Sequence, residues 1–130
     1  MPSIAFLTLA DVVEIHNDQI SRYGGHSGVR DIGLLESALA MPVASFQNEW
    51  FHKDIYEMAA AYAWHLCSNH PFYDGNKRTA LAAALVFLLF NGIDCEDPGD
   101  TLYDLMIAVA SGKLTKQELA HALRRLSKST

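Results

Sequence analysis

One contiguous stretch, residues 70–78, concentrates the side chains that could do chemistry, and it reads His-Pro-Phe-Tyr-Asp-Gly-Asn-Lys-Arg. His70 is the group in this stretch that titrates near neutral pH, so it is the natural general base. Asp74 offers the hard oxygen ligands that suit Mg²⁺ bound to phosphates. Lys77 and Arg78 add two adjacent cations. A base, a metal ligand and a pair of cations so close together suggest phosphoryl or nucleotidyl transfer.

This stretch lies between two predicted helices. Before it, apolar residues recur at helical spacing from Ile55 to Leu66. After it, residues 77–90 form an almost uninterrupted apolar run that is rich in good helix formers. Pro71 cannot continue a helix, and Asp-Gly-Asn is typical of turns. We therefore predict a tight loop, with Asn76 as the cap of the helix that follows.

The start of that helix is a predicted anion site. A helix N-terminus presents unpaired backbone N–H groups and the positive end of the helix dipole. Cations are unfavourable for the helix at this end, so Lys77 and Arg78 indicate that a negative group binds there. Taken singly, a histidine before a proline or an Asp-Gly-Asn turn is an ordinary structural feature. Together with the misplaced cations, these features favour function.

Length and composition limit the possible functions. A chain of 130 residues is predicted to form one domain, residues 1–130. Half of the residues are hydrophobic and 19% are charged, which is typical of a folded globule. The net charge of −5 argues against direct binding to nucleic acid or to an anionic membrane. Two cysteines without a C-x-x-C motif fit a cytoplasmic protein.

The remaining periodicity predicts an all-α bundle of six helices. The helix that starts at residue 76 is apolar nearly all round, so it is predicted to be the buried central helix. Residues 93–100 are predicted to be an acidic connector. The predicted caps of the other helices are Thr8 with Asp11, Asp31, Asp100, and Thr115 with Glu118.

The run His-Pro-Phe-x-Asp-Gly-Asn-Lys-Arg resembles the signature loop of the Fic/Doc family, in the Lys-containing form of the death-on-curing (Doc) toxins. The Gly-Gly after Tyr23, the Arg-Asp-x-Gly-Leu-Leu-Glu-Ser-Ala-Leu run from Arg30 and the final Leu-Arg-Arg-Leu are also similar to that family. The resemblance covers nearly the whole chain. It implies a compact six-helix bundle of the Fic type around a buried central helix, with a short flap loop or hairpin.

The resemblance also implies an activity, namely transfer from ATP to a hydroxyl group on a target protein. In that reaction His70 would take the proton from the attacking hydroxyl and Asp74 would hold Mg²⁺. The residues that would cradle the phosphates are Gly75, Asn76, Lys77 and Arg78.

Two positions bear on which group is transferred. The AMP-transferring Fic loop runs on as Gly-Asn-Gly-Arg-x-x-Arg, whereas this chain has Lys77 in place of the second Gly and Leu81 in place of the last Arg. The lysine crowds the space that glycine leaves for the nucleotide, and the leucine removes a bidentate phosphate clamp. Both changes are expected for Doc-type members, which resemble kinases. The expected reaction is therefore phosphorylation, with AMP transfer as the alternative. The resemblance to Doc-type members implies that the target is a translation elongation factor, whose modification halts translation.

A segment rich in aromatic residues, 43–54, separates the second and third predicted helices. At least some of its rings are expected to cover the core. In the Fic family the matching region is a flap, often a short hairpin, that docks the backbone of the target protein. The residues expected to do this here are Val43, Phe46, Trp50 and Phe51.

Regulation and two other functions complete the interpretation. The resemblance implies a Phd-type antitoxin that binds in trans, because the only near match to an inhibitory Ser/Thr-x-x-x-Glu motif, Ser45 to Glu49, is taken as coincidence. A metal-dependent hydrolase built on His65, His70 and Asp74 is disfavoured, since histidines five residues apart diverge on a helix. An inactive helical binding module that has kept the loop is the other alternative.

Overall fold

The computed structural model describes residues 3–97, 99 and 101–129, and it shows six α-helices with two small antiparallel strand pairs. The predicted all-α bundle of six helices is therefore confirmed. The helices are α1 Leu9–Tyr23, α2 Ile32–Ala40, α3 Ile55–Asn69, α4 Asn76–Phe90, α5 Thr101–Ala110 and α6 Lys116–Arg125. The strands are β1 Ser45–Phe46, β2 Glu49–Trp50, β3 Ile93–Cys95 and β4 Ser127–Ser129. Among the described residues, no helix is both long and apolar enough to cross a membrane.

Helices α3 and α4 form the centre of the bundle, and the candidate loop joins them directly. Small residues on both helices allow their backbones to approach closely, and these buried residues are Ala59, Ala60, Ala63, Ala80, Ala83 and Ala84. Buried rings of Tyr62, Phe72 and Phe87 fill the remaining space. The predicted burial of α4 is confirmed along this face, although its last residues, Leu89 and Phe90, are about half exposed.

Most predicted helix caps are present. The Thr8–Asp11 and Thr115–Glu118 capping boxes close reciprocally, and the Asp31 carboxylate accepts from the Leu34 N–H. Asp100 lies outside the described residues.

The cap predicted for α4 was wrong. Gly75 occupies the cap position with φ 74°, and no described side chain caps this helix. Asn76 is instead the first helical residue, and its side chain turns back into the loop.

Two strand pairs complete the fold. Strands β1 and β2 form the expected hairpin, and its two turn residues, Gln47 and Asn48, both have positive φ, as a type I′ turn requires. The prediction that residues 93–100 are only a connector was wrong for the first three, which pair as β3 with β4 near the C-terminus. A ladder between such distant segments leaves no local pattern in the sequence.

Candidate active site

The loop begins where α3 ends in a left-handed residue. His70 has φ 52° and ψ 53°, a conformation in which glycine is the usual residue because a side chain costs about 1–2 kcal/mol there. The Arg30 guanidinium donates two hydrogen bonds to the His70 carbonyl oxygen, from Nε at 3.1 Å and Nη2 at 2.6 Å. These bonds satisfy a carbonyl at the helix end and hold the strained residue in place.

A preceding segment, residues 24–31, runs beside the loop, and we call it the strap. The backbone N–H groups of Arg30 and Asp31 donate to the Pro71 carbonyl at 2.7 and 3.1 Å. Further along, the Tyr73 N–H donates to the Gly28 carbonyl at 3.3 Å. The strap therefore fixes the backbone of the loop, a role that its sequence did not predict.

The Asn76 side chain bridges the loop from the inside. Its Oδ1 accepts from the Phe72 N–H and its Nδ2 donates to the Phe72 carbonyl, both at 3.0 Å, so the orientation of the amide is determined. The same Nδ2 lies 3.1 Å from Nδ1 and 3.4 Å from Nε2 of His70. An atom in the plane of the imidazole could not be this close to both nitrogens without overlapping a ring carbon. The amide therefore lies over the face of the His70 ring. This contact does not use the in-plane lone pair or N–H of either ring nitrogen.

Two histidines and a glycine position Asp74. The backbone N–H of His26 donates to the Asp74 carboxylate Oδ2 at 2.7 Å. The imidazole Nε2 of His16 donates to the backbone carbonyl of Asp74 at 2.8 Å. His16 is buried and stacks on the Phe72 ring with centroids 3.9 Å apart, so it is a core histidine. Gly25 has φ +119°, and a Cβ there would lie 3.1 Å from the Asp74 Cβ. The glycine thus allows the strap to approach the carboxylate.

A cavity of about 340 Å³ opens at the start of α4. The loop side of its wall is formed by Asp74, Gly75, Asn76, Lys77 and Arg78. The first hydrogen bond of this helix runs from the Thr79 N–H to the Gly75 carbonyl, so the preceding N–H groups have no intrahelical acceptor. Uncapped N–H groups and two cations beside a cavity are the features of an anion-binding site.

The other predicted site residues occupy separate places. His70 is exposed and lies outside the cavity wall, and it is linked to the cavity through Asn76. In the hairpin region, Phe46 and Phe51 are 73% and 63% exposed. Val43 is also exposed. Trp50 is partly buried and packs edge-on against Phe6 with centroids 5.3 Å apart, so it is one of the rings that cover the core.

A second histidine cluster lies away from the loop. Lys116 Nζ donates to His52 Nε2 at 3.1 Å and to His65 Nε2 at 3.0 Å. Burial, and then the neighbouring Lys116 charge, lowers the pKa of His65 to about 4 and lowers the pKa of His52. Among the described residues, no three His, Cys, Asp or Glu side chains are grouped to hold a metal, so the hydrolase alternative is not supported.

The sequence model of the Fic/DOC family matches residues 6–88, which include the strap, the loop and most of α4. The chain belongs to the Fic/DOC family. "Protein kinase doc" of Escherichia phage P1 is 37% identical over 116 residues, covering 89% of this chain and 90% of that protein. "Toxin Doc" of Mycolicibacterium smegmatis is 42% identical over 91 residues, covering 68% of this chain and 70% of that protein. The family resemblance of the sequence is thereby confirmed.

Within this Fic/DOC chain, sequence reasoning missed the residues that hold the loop from a distance. Arg30 was noted only as part of a family-like run, and the hydrogen bond from His16 to Asp74 was not predicted. Tyr23 and Tyr103, which line the cavity, were not singled out. The available signal was the Gly-Gly after Tyr23, because Gly25 is needed where the strap meets Asp74.

Proposed function

We propose that this protein is the toxin of a toxin–antitoxin pair and that it phosphorylates a hydroxyl side chain of a translation elongation factor, with ATP as donor. The observation that carries the proposal is the uncapped start of α4, where Lys77 and Arg78 line a cavity next to the His70 loop. The name of the phage P1 relative, a protein kinase, supports the same reaction class. Phosphoryl transfer depends mainly on positioning and on charge stabilisation, which this arrangement can provide.

In the proposed mechanism, the ATP phosphates occupy the cavity and the target hydroxyl approaches His70. An in-plane lone pair of the His70 ring accepts the hydroxyl proton as the oxygen attacks the γ-phosphorus. The bond from that phosphorus to the β–γ bridging oxygen breaks, and ADP leaves. The first-turn N–H groups of α4, Lys77 and Arg78 stabilise the negative charge on the phosphates.

The Asp74 carboxylate fits a role as the Mg²⁺ ligand. It lines the cavity, and the His26 N–H holds one of its oxygens in place. Mg²⁺ is commonly held by one or two carboxylates together with substrate phosphates. When bound, the ion would neutralise phosphate charge and orient the triphosphate.

The γ-phosphate, rather than AMP, is the group expected to move. Lys77 lines the cavity where an AMP-transferring Fic loop has glycine, so its side chain occupies space and adds charge there. Leu81 is partly buried against the core and cannot act as a second phosphate clamp.

The exposed rings of the hairpin are the proposed docking surface for the target. Phe46 and Phe51 present apolar area next to Val43, and side chains of this kind commonly mark contact sites. A Phd-type antitoxin is the proposed inhibitor in trans, in keeping with the relative named Toxin Doc.

The deciding experiment is labelling of a purified elongation factor with γ- or α-labelled ATP and Mg²⁺, using wild type and His70→Gly. Glycine suits the left-handed backbone at this position, so we expect the variant to fold, and its urea denaturation curve checks this. We expect γ-label incorporation, a phosphate-sized mass gain, and a loss of about 10²- to 10⁴-fold in the variant. Incorporation of α-label would favour AMP transfer. Absence of both labels, with normal growth on expression, would contradict the proposed function.

A further inference from the structure

The Arg78 guanidinium is contacted by two aromatic rings from different helices. Its Cζ lies 4.0 Å from the centroid of the Tyr23 ring and 4.4 Å from that of Tyr103. Tyr23 is the last residue of α1, and Tyr103 lies in the first turn of α5. All three side chains line the cavity at the start of α4.

These contacts hold the arginine without neutralising it. Elsewhere in the described part of the chain, Arg22 pairs with Asp18 at 2.9 Å and Arg124 pairs with Asp54 at 2.7 Å. A carboxylate partner of that kind would occupy the N–H donors and cancel the charge that an anion needs. An aromatic ring instead attracts the cation through its electron-rich face, so the N–H donors stay available.

We propose that Tyr23 and Tyr103 are positioning residues that hold the Arg78 guanidinium ready for a phosphate group in this cavity. The inference rests on the proposed function, because it names residues that would prepare the same site for the triphosphate. An arginine side chain loses considerable rotamer freedom when it binds an anion. Rings that already restrict the guanidinium reduce that loss, so binding is tighter.

The test is the binding of inorganic tripolyphosphate, measured by calorimetry. This probe has no base or ribose, so stacking of a base on either tyrosine cannot contribute. We expect Tyr23→Leu and Tyr103→Leu each to weaken binding by about two- to five-fold. Phenylalanine at either position should restore most of the affinity, because it keeps the ring face. In an Arg78→Ala background, neither leucine substitution should weaken binding further.

Tyr56→Leu is the matched control. The Tyr56 ring also contacts an arginine, Arg124, with 4.5 Å from Cζ to the ring centroid, but neither residue lines this cavity. Its loss should leave tripolyphosphate affinity unchanged.

Three outcomes would overturn the inference: wild type that does not bind tripolyphosphate, leucine variants that bind it like wild type, or leucine effects that persist without Arg78. The proposed function fails separately, if the elongation factor gains no γ-label although tripolyphosphate binding depends on the two rings as expected.

Discussion

Helices α4 and α6 both begin with a lysine in the first turn, but their N-termini are built in opposite ways. At α6 a Thr115–Glu118 capping box closes the helix, and Lys116 donates to two histidines. At α4 the cap residue is Gly75, no described side chain caps the helix, and Lys77 lines a cavity. Both lysines line a cavity, but Lys116 is hydrogen-bonded to two imidazoles beside a capped helix start, whereas Lys77 lies beside a helix start that no described side chain caps.

This difference separates a structural cation from a candidate functional one. Burial lowers the pKa of Lys116, which shows that its charge is stabilised less well than in water. Its hydrogen bonds to the two imidazoles nevertheless tie α6 to α3 and to the end of the hairpin region. At α4, by contrast, N–H donors and cations converge on a space large enough for phosphates. An open start of a helix, rather than the presence of a cation, is therefore the informative feature.

The largest expected effect of the comparison comes from replacing each of the two lysines with alanine. Lys77→Ala should lower the proposed phosphorylation of the target about a hundredfold, because it removes the donor proposed to stabilise charge in the transition state. Its free energy of unfolding should stay the same or rise by a few tenths of a kcal/mol, since a cation at a helix N-terminus is unfavourable. Radiolabel transfer and urea denaturation measure the two quantities.

Lys116→Ala should show the opposite pattern. It leaves two histidine nitrogens without their donor, which should lower the free energy of unfolding by about 1–3 kcal/mol, while labelling of the target stays at the wild-type level. If the two lysine substitutions lowered activity equally, Lys77 at the start of α4 would be no more important for activity than Lys116 at the start of α6.

The second prediction concerns the arginine that holds the loop. Arg30→Ala removes both hydrogen bonds to the His70 carbonyl, so this proposed base is less well placed and kcat should fall about tenfold with little change in KM for ATP. Arg30→Lys should restore activity only in part, because an ammonium cannot reproduce the two-pronged geometry. Arg22→Ala, which breaks an exposed ion pair with Asp18, is the control and should leave kcat unchanged. A kcat of Arg30→Ala equal to that of the control would show that His70 does not need this support.

The third prediction isolates the cap of α6. Thr115→Ala removes the side chain that accepts from the Glu118 N–H, and it should lower the free energy of unfolding by about 1 kcal/mol. Phosphorylation should not change, because the cap belongs to the closed helix start. Thermal denaturation and the labelling assay together test this prediction. A loss of activity at a temperature where the variant is fully folded would contradict it.

The sequence predicted what is local along the chain. The loop between α3 and α4, the six helices and the caps at Thr8, Asp31 and Thr115 each depend on residues within a few positions of one another. Asn76 was misjudged because asparagine is a common cap. With Gly75 in the left-handed conformation, the glycine takes the cap position and the Asn76 amide is released to bridge Phe72 and His70.

Long-range contacts could not be predicted in this way. The Arg30 bonds to His70 span 40 residues, and the His16 bond to Asp74 spans 58. The β3–β4 ladder likewise joins segments that are distant in sequence. No periodicity or turn signal marks such pairs, because their partners meet only after the helices have packed.

The last prediction is a pH dependence of stability, with no effect on activity, that arises from the two histidines hydrogen-bonded to Lys116. His65 has a pKa of about 4 in the folded protein, against 6.5 for an ordinary histidine. Between these values the unfolded chain binds a proton that the folded protein does not, so stability should fall as the pH drops from 6.5 toward 4. The lowered pKa of His52 acts in the same direction. Urea midpoints measured from pH 7 to pH 4 should therefore decline less steeply in His65→Gln, which still offers Lys116 an acceptor, than in wild type. His121→Gln, at an exposed histidine, controls for the loss of an imidazole. If the urea midpoint of His65→Gln declined with pH as steeply as that of wild type, His65 would not be the source of the pH dependence.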